Sequence, residues 1–272
     1  MIDSGPGIRP RWAHGPMTTG LTPPKVGQVY ALLTTATLWG VATGLLVPRA
    51  AYRLSVEPEQ PWRHACAAGH PYAQGPRGWL GPAHCTACLP APRPTWAAPL
   101  IAALGCATLA WATGVRPELA VWLLLTPLLL LLATVDARVR RLPDHLTLPL
   151  TLVTPLLLGV MALLPGHTGS WPRALLGGLT LGGAYFVLFL INSNGLGLGD
   201  VKLAVPLGVA LGWYGWDVLF LGAFTGFLLG AVYGLGLLVL RRANRKSTIP
   251  FGPFMICGTT AGLLLGALAA RV

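Results

Sequence analysis

The sequence predicts an all-α polytopic membrane protein of about eight transmembrane helices, with one small polar insertion after the first. Three observations carry this reading. The 272 residues are 54% hydrophobic and only 10% charged, with a mean hydropathy of +0.63. Several apolar stretches approach the roughly 20 residues that cross a bilayer as a helix. Short Gly/Pro or charged breaks separate them, apart from one long polar interval at 48–95.

In chain order, residues 1–25 are rich in Pro and Gly, hold no cleavable signal pattern and read as a disordered tail, so Met17 is an alternative start to Met1. The first span is 26–47, and 96–272 is a seven-helix membrane unit with spans near 96–114, 118–135, 146–164, 172–192, 202–217, 219–240 and 250–270. The span at 202–217 is the weakest, being short and interrupted by Gly208, Gly212 and Gly215.

A net charge of +11 invites a nucleic-acid reading, but the basic residues are not gathered into one aromatic-studded face. They sort instead as topology signals. If the chain enters the first span from outside, the inner segments 48–95, 136–145, 193–202 and 241–249 hold 13 of the 19 Arg and Lys. Both termini are therefore expected outside, and 48–95 forms a small cytoplasmic domain.

Within that insertion, Cys85-Thr86-Ala87-Cys88 is half of a tetrahedral zinc site, because two thiolates spaced by two residues can bind one metal from a turn. Cys66 and His70 are the favoured second half, with His64 and His84 as competing imidazoles. So short a segment needs a staple, and a disulfide is disfavoured on the cytoplasmic side. The alternative is a set of reduced thiols in a mobile loop. Cys106 and Cys257 fall in apolar spans and read as packing residues.

Of the eight acidic residues, Asp3, Glu57, Glu59, Glu118 and Asp217 read as solvated or interfacial charges. Asp136 ends the third span and Asp200 starts the sixth, after Gly195-Leu196-Gly197-Leu198-Gly199. The topology puts both at one depth on the inner side, where packing spans three and six together would make them face. Two carboxylates at a low-dielectric boundary cannot both ionise cheaply, so one keeps a proton while the other polarises water. That pair suits peptide hydrolysis without a metal. Gly197 and Gly199 leave room for a substrate backbone, and Lys202 could hold a substrate carbonyl or a lipid headgroup, against a plain snorkelling role. Capping the sixth helix is the simpler role for Asp200. Asp144, after Pro143, reads as the N-cap of span four, and His145 as an interfacial or capping residue. No Gly-x-Ser-x-Gly elbow is present. A proton-coupled transporter using Asp136 and Asp200 as a relay is the competing reading, and a noncatalytic assembly factor is a third.

With these residues placed, the chain resembles the type IV prepilin peptidases, membrane aspartic proteases of the Gly-x-Gly-Asp type. Asp136 through Asp144 is similar to the family's first aspartate with its basic stretch and Leu-Pro-Asp turn, and Gly197-Leu198-Gly199-Asp200-Val201-Lys202-Leu203 to its second. Ile249-Pro250-Phe251-Gly252-Pro253-Phe254 resembles the motif opening the last span, the cysteine-bearing insertion sits where the family has its zinc domain, and Tyr52-Arg53-Leu54 resembles the exit from the first span. The resemblance implies a bacterial inner-membrane endopeptidase with Asp136 and Asp200 as catalytic dyad. It would cleave the leader of type IV prepilins or pseudopilins after a glycine at the cytoplasmic face, just before their apolar helix. It also implies methylation of the new N-terminus from S-adenosylmethionine, as many members do. The family's usual two Cys-x-x-Cys pairs are here reduced to Cys85/Cys88, with Cys66 alone upstream.

Overall fold

The structure is a computed structural model and describes residues 26–57, 60–83, 87, 96–193, 195–241 and 249–271. The N-terminal tail, Cys85 and Cys88 lie outside the described residues. Eight α-helices follow in order: α1 Val26–Leu54, α2 Ala97–Thr113, α3 Glu118–Val139, α4 Asp144–Met161, α5 Trp171–Ile191, α6 Leu198–Tyr214, α7 Trp216–Val239 and α8 Gly252–Ala269. No strand occurs among the described residues; the insertion holds one 3-10 turn, Pro76–Gly78, and a single bridge between Ala65 and Pro71.

Six of these helices are long and apolar enough to cross a membrane, and α2 and α6, at 17 residues each, fall short of that measure. The expectation of eight spans is thus met in helix number and not in length. Packing explains α6. It lies against α4, α5, α7 and α8, and Ala204, Leu207, Val209, Ala210, Leu211 and Trp213 on it are all buried. A helix shielded by its neighbours presents little surface to lipid, so Gly208, Gly212 and Pro206 are tolerated where a lipid-facing span would want large apolar side chains.

Neighbouring helices meet through small residues. A Cβ on Gly40 of α1 would lie 2.5 Å from the Ala102 carbonyl oxygen of α2, one on Gly208 of α6 would lie 2.5 Å from the Gly177 oxygen of α5, and one on Gly258 of α8 would lie 2.4 Å from the Gly222 oxygen of α7. Lipid gives helices no hydrophobic reason to associate, so close backbone approach and dispersion must supply the attraction.

The first helix extends seven residues beyond the expected end of its span, and the extension anchors the insertion. Arg49 donates to the carbonyls of Pro82 (2.9 Å) and Arg77 (2.7 Å), and Arg53 to those of Arg63 and Gly78 (2.8 Å each). The Arg53 guanidinium also lies 3.8 Å above the Trp79 ring. Helical geometry thus continues because the arginines on this turn satisfy loop carbonyls that would otherwise be left without donors.

Candidate active site

Asp136 stands in the last turn of α3. The helix stops there because Arg140 takes a left-handed conformation (φ 52°) while its N–H donates to the Asp136 carbonyl at 2.8 Å. The chain then turns through Leu142 and Pro143 into α4. Asp136 is 4% exposed, and its Oδ2 accepts the backbone N–H of Gly252 at 2.8 Å. That N–H is free to leave the helix because Gly252 opens α8, where the first donors have no partner within the helix. The Ile249–Phe254 segment therefore meets the first aspartate directly.

Asp200 lies in the first turn of α6, half-buried, and its Oδ2 accepts the N–H of Gly197 at 3.1 Å. Gly197 is the N-cap, so Asp200 reaches back to the cap residue from inside the helix. Its capping role is real, and it leaves the carboxylate close enough to Asp136 for the two charges to interact. The two aspartates lie within electrostatic reach of each other at one end of the bundle, where α8 packs against both α3 and α6.

An aromatic wall adjoins them. Tyr185 of α5, 2% exposed, is in electrostatic reach of Asp200 and packs its ring 6.2 Å from Phe251 and 5.3 Å from Phe227. Nothing in the sequence separated Tyr185 from other apolar-span residues; only its being a tyrosine near the same end of α5 could have hinted at it.

The glycines divide in function. A Cβ on Gly199 would lie 3.0 Å from the Leu142 Cβ, so the space the sequence left open for a substrate seats Leu142 of the α3–α4 turn. Gly197 is exposed, and a Cβ there would meet nothing nearer than 3.6 Å. Lys202 neither snorkels alone nor stands clear. Its ammonium pairs with Asp144 Oδ1 at 2.7 Å, tying α6 to α4 across the exposed side of the site. Asp144 is thus not the N-cap of α4. Pro143 occupies that position, and Asp144, in the first turn, spends its carboxylate on the ion pair.

Glu118 departs furthest from expectation. It is fully buried at the opposite end of α3, not solvated, and accepts from the Thr168 hydroxyl at 2.7 Å. It lies within electrostatic reach of Tyr214, at the end of α3 away from the aspartates, and serves to tie the α4–α5 loop to α3.

A cavity of about 650 Å³ runs between α2, α3, α6 and α8, walled almost entirely by apolar side chains. Its residues on α3 extend from Trp122 to Ala137, about 22 Å at the helical rise, and Ala137 and Pro253 put its end beside Asp136 and Gly252. Fully buried Thr154 lines it, with a hydroxyl that has no hydrogen-bond partner among the described residues.

In the insertion, the Cys66 Sγ lies 3.7 Å from the His70 Nδ1 across a tight turn closed by Cys66 N–H to the His70 carbonyl. Two of the expected zinc ligands are therefore adjacent. The other two, Cys85 and Cys88, lie outside the described residues, and no cluster of three metal-ligating side chains occurs among those described.

Residues 123–235 match the type IV leader peptidase family. Among curated proteins, "Prepilin leader peptidase/N-methyltransferase" of Aeromonas salmonicida is 37% identical over 153 residues, covering 55% of this chain and 50% of that protein. Proteins of the same name from Pseudomonas aeruginosa and Stutzerimonas stutzeri are 36% identical over 168 residues (60% of this chain, 55% of the relative) and 34% over 158 (58% and 53%). The chain spans about half the length of these relatives. No solved structure matches it.

Proposed function

From the match of residues 123–235 to the type IV leader peptidase family, we propose that the protein cleaves the leader of type IV prepilin-like substrates, with Asp136 and Asp200 as the catalytic pair. The observation that carries the reading is the convergence of two carboxylates, each oriented by one backbone N–H, at one end of a membrane bundle. One aspartate, ionised, takes a proton from water. The other, protonated, donates to the scissile carbonyl oxygen as the water oxygen adds to the carbonyl carbon. Proton return to the departing amine then breaks the C–N bond. The site faces the cytoplasm in this reading, which the distribution of basic residues supports. The test is leader removal from a type IV prepilin by the purified protein in detergent; a wild-type protein that leaves the prepilin whole overturns the proposal.

Orientation of Asp136 by Gly252 has a measurable consequence. A Cβ at 252 would fall 2.9 Å from Asp136 Oδ2, so Gly252→Ala pushes the carboxylate off its donor. The expected outcome is cleavage slowed on the order of tenfold to a hundredfold, with thermal stability little changed, because the displaced atom ends a flexible side chain.

The apolar cavity would receive the substrate's hydrophobic helix, since its end adjoins the aspartates and a cut just before that helix needs such a neighbour. Filling it with Ala133→Trp is expected to raise KM for full-length prepilin on the order of tenfold, equivalent to ~1.4 kcal/mol. Cleavage of a short peptide lacking the apolar helix should be unaffected; equal loss on both substrates would sink this placement.

The N-methyltransferase half of the relatives' name extends the proposal to methylation of the new N-terminus, with S-adenosylmethionine as donor. Cys66 and His70 would hold a structural zinc together with Cys85 and Cys88, stapling the insertion, and no step of hydrolysis passes through it. A proton relay for transport would use the same aspartates, but carboxylates at helix ends favour hydrolysis over a midplane pathway.

A further inference from the structure

Asp136 stands at the end of α3 and Asp200 at the start of α6, yet these two helices make no extensive contact with each other. α3 packs on α1, α2, α4 and α8, and α6 on α4, α5, α7 and α8. The separation of the two carboxylates is therefore set by whatever joins the helix ends. On one side that is α8, whose Gly252 N–H holds Asp136. On the other it is the α3–α4 turn, which leaves Asp136 and reaches Asp144 in eight residues.

Two contacts dock this turn on the first turn of α6, and they flank Asp200 in sequence. Leu142, 5% exposed, seats on Gly199, where an added Cβ would lie 3.0 Å from the Leu142 Cβ. Just past Asp200, the Lys202 ammonium pairs with Asp144 Oδ1 at 2.7 Å. Leu142 limits how closely the two segments approach, and the ion pair keeps them from parting.

The Asp144 end is itself braced. His145, the next residue, meets the Trp62 ring edge-on at 5.3 Å, Trp62 meets Trp79 edge-on at 5.2 Å, and Trp79 lies under the Arg53 guanidinium at 3.8 Å. A line of ring contacts thus runs from the end of α1 through the insertion to the first turn of α4.

We propose that Asp144 and Lys202 are positioning residues, whose ion pair fixes Asp200 at its working distance from Asp136; the inference rests on the peptidase reading above. Each acts through the turn on which it stands. With side chains 32% exposed at Lys202 and 56% at Asp144, the pair has water around it and adds little to stability. Its worth is geometric. A water activated between two carboxylates tolerates displacement poorly, and a shift of about 1 Å costs on the order of a hundredfold in rate. This role differs from holding a substrate carbonyl, and the two part in kcat and KM.

The test is cleavage kinetics of a type IV prepilin by the full-length protein in detergent, with amide hydrogen exchange at the start of α6 measured on the same samples. Asp144→Asn and Lys202→Met are each expected to lower kcat about tenfold or more, with KM within about twofold of wild type. Both should speed exchange in the first turn of α6. The double variant should be no slower than the slower single one, because the pair acts as a unit. Lys202→Arg, which keeps the charge and the reach, should recover most of kcat. Melting temperatures should stay near that of the wild type throughout.

A wild-type kcat in Asp144→Asn overturns the assignment, since Lys202 would then act without it. So do losses that multiply in the double variant, and a raised KM with kcat intact, which would make Lys202 a substrate holder. A fall in kcat matched by a fall in melting temperature also overturns it, by reducing the pair to a structural tie. Failure of the peptidase reading looks different: exchange at the start of α6 responds to both substitutions while the wild-type protein leaves the prepilin whole.

Discussion

Asp136→Asn or Asp200→Asn is expected to lower prepilin cleavage by at least two orders of magnitude, as loss of a general acid or base does. The reason is chemical, not steric. An amide cannot take a proton from water, and it cannot donate one to the carbonyl oxygen as a carboxylic acid does. Asparagine has nearly the shape of aspartate and still accepts a hydrogen bond, so the N–H groups of Gly252 and Gly197 keep their partners. Folding should be preserved, with the helical circular dichroism and melting temperature of the wild-type protein. The double variant should be no slower than either single one, because two groups that share one proton act as a unit and their losses do not add. Processing that continues in either single variant, measured by the gel shift of a co-expressed prepilin, would remove the pair from the mechanism. A transporter would instead show solute-dependent flux abolished by these substitutions with no proteolysis to lose.

A second large effect is expected at the contact between α5 and α6, where Gly177→Leu should prevent normal packing. A Cβ at 177 would lie 2.6 Å from the Gly208 carbonyl oxygen and 2.9 Å from the Gly212 Cα. Those are backbone atoms of a buried helix and cannot swing aside, so α5 and α6 must part. Overpacking of this kind costs about 1–3 kcal/mol or more. Because α6 carries Asp200, activity should fall with stability. Gly183→Leu on the same helix is the control. Nothing lies within 4 Å of a Cβ there, and the residue is exposed. Unfolding in mixed micelles should distinguish the two, with Gly183→Leu near the wild-type midpoint and Gly177→Leu far below it. Equal destabilisation would show that helix propensity, and not backbone contact, governs these glycines.

Asp136 and Asp200 were legible because each carries a local signal, a charge closing or opening an apolar run, and because counting spans puts their helix ends on one side. The same counting failed for Glu118. A carboxylate next to Pro117 at the start of a span looks interfacial, yet Thr168, distant in sequence, covers and hydrogen-bonds it. The Gly252 motif was visible, but its use was not, since a backbone N–H has no signature until α8 is placed against α3. Lys202 read as a holder of a substrate carbonyl or lipid headgroup, with snorkelling as its plain alternative, and Asp144 as a cap; the packing of α6 on α4 joined them into an ion pair.

What the sequence by itself determined is the helical membrane architecture, the order of its helices and the end of the bundle at which the aspartates gather. Apolar run length, Gly/Pro breaks and charge asymmetry are local quantities, summed along the chain and insensitive to which helices touch. What only the tertiary structure decided is which donors hold each carboxylate, that Leu142 fills the space beside Gly199, that Tyr185 joins the site, and that Trp62 meets His145. Each depends on the approach of segments far apart in the chain, and side-chain and backbone complementarity at the contact, not residue type, selects the partner.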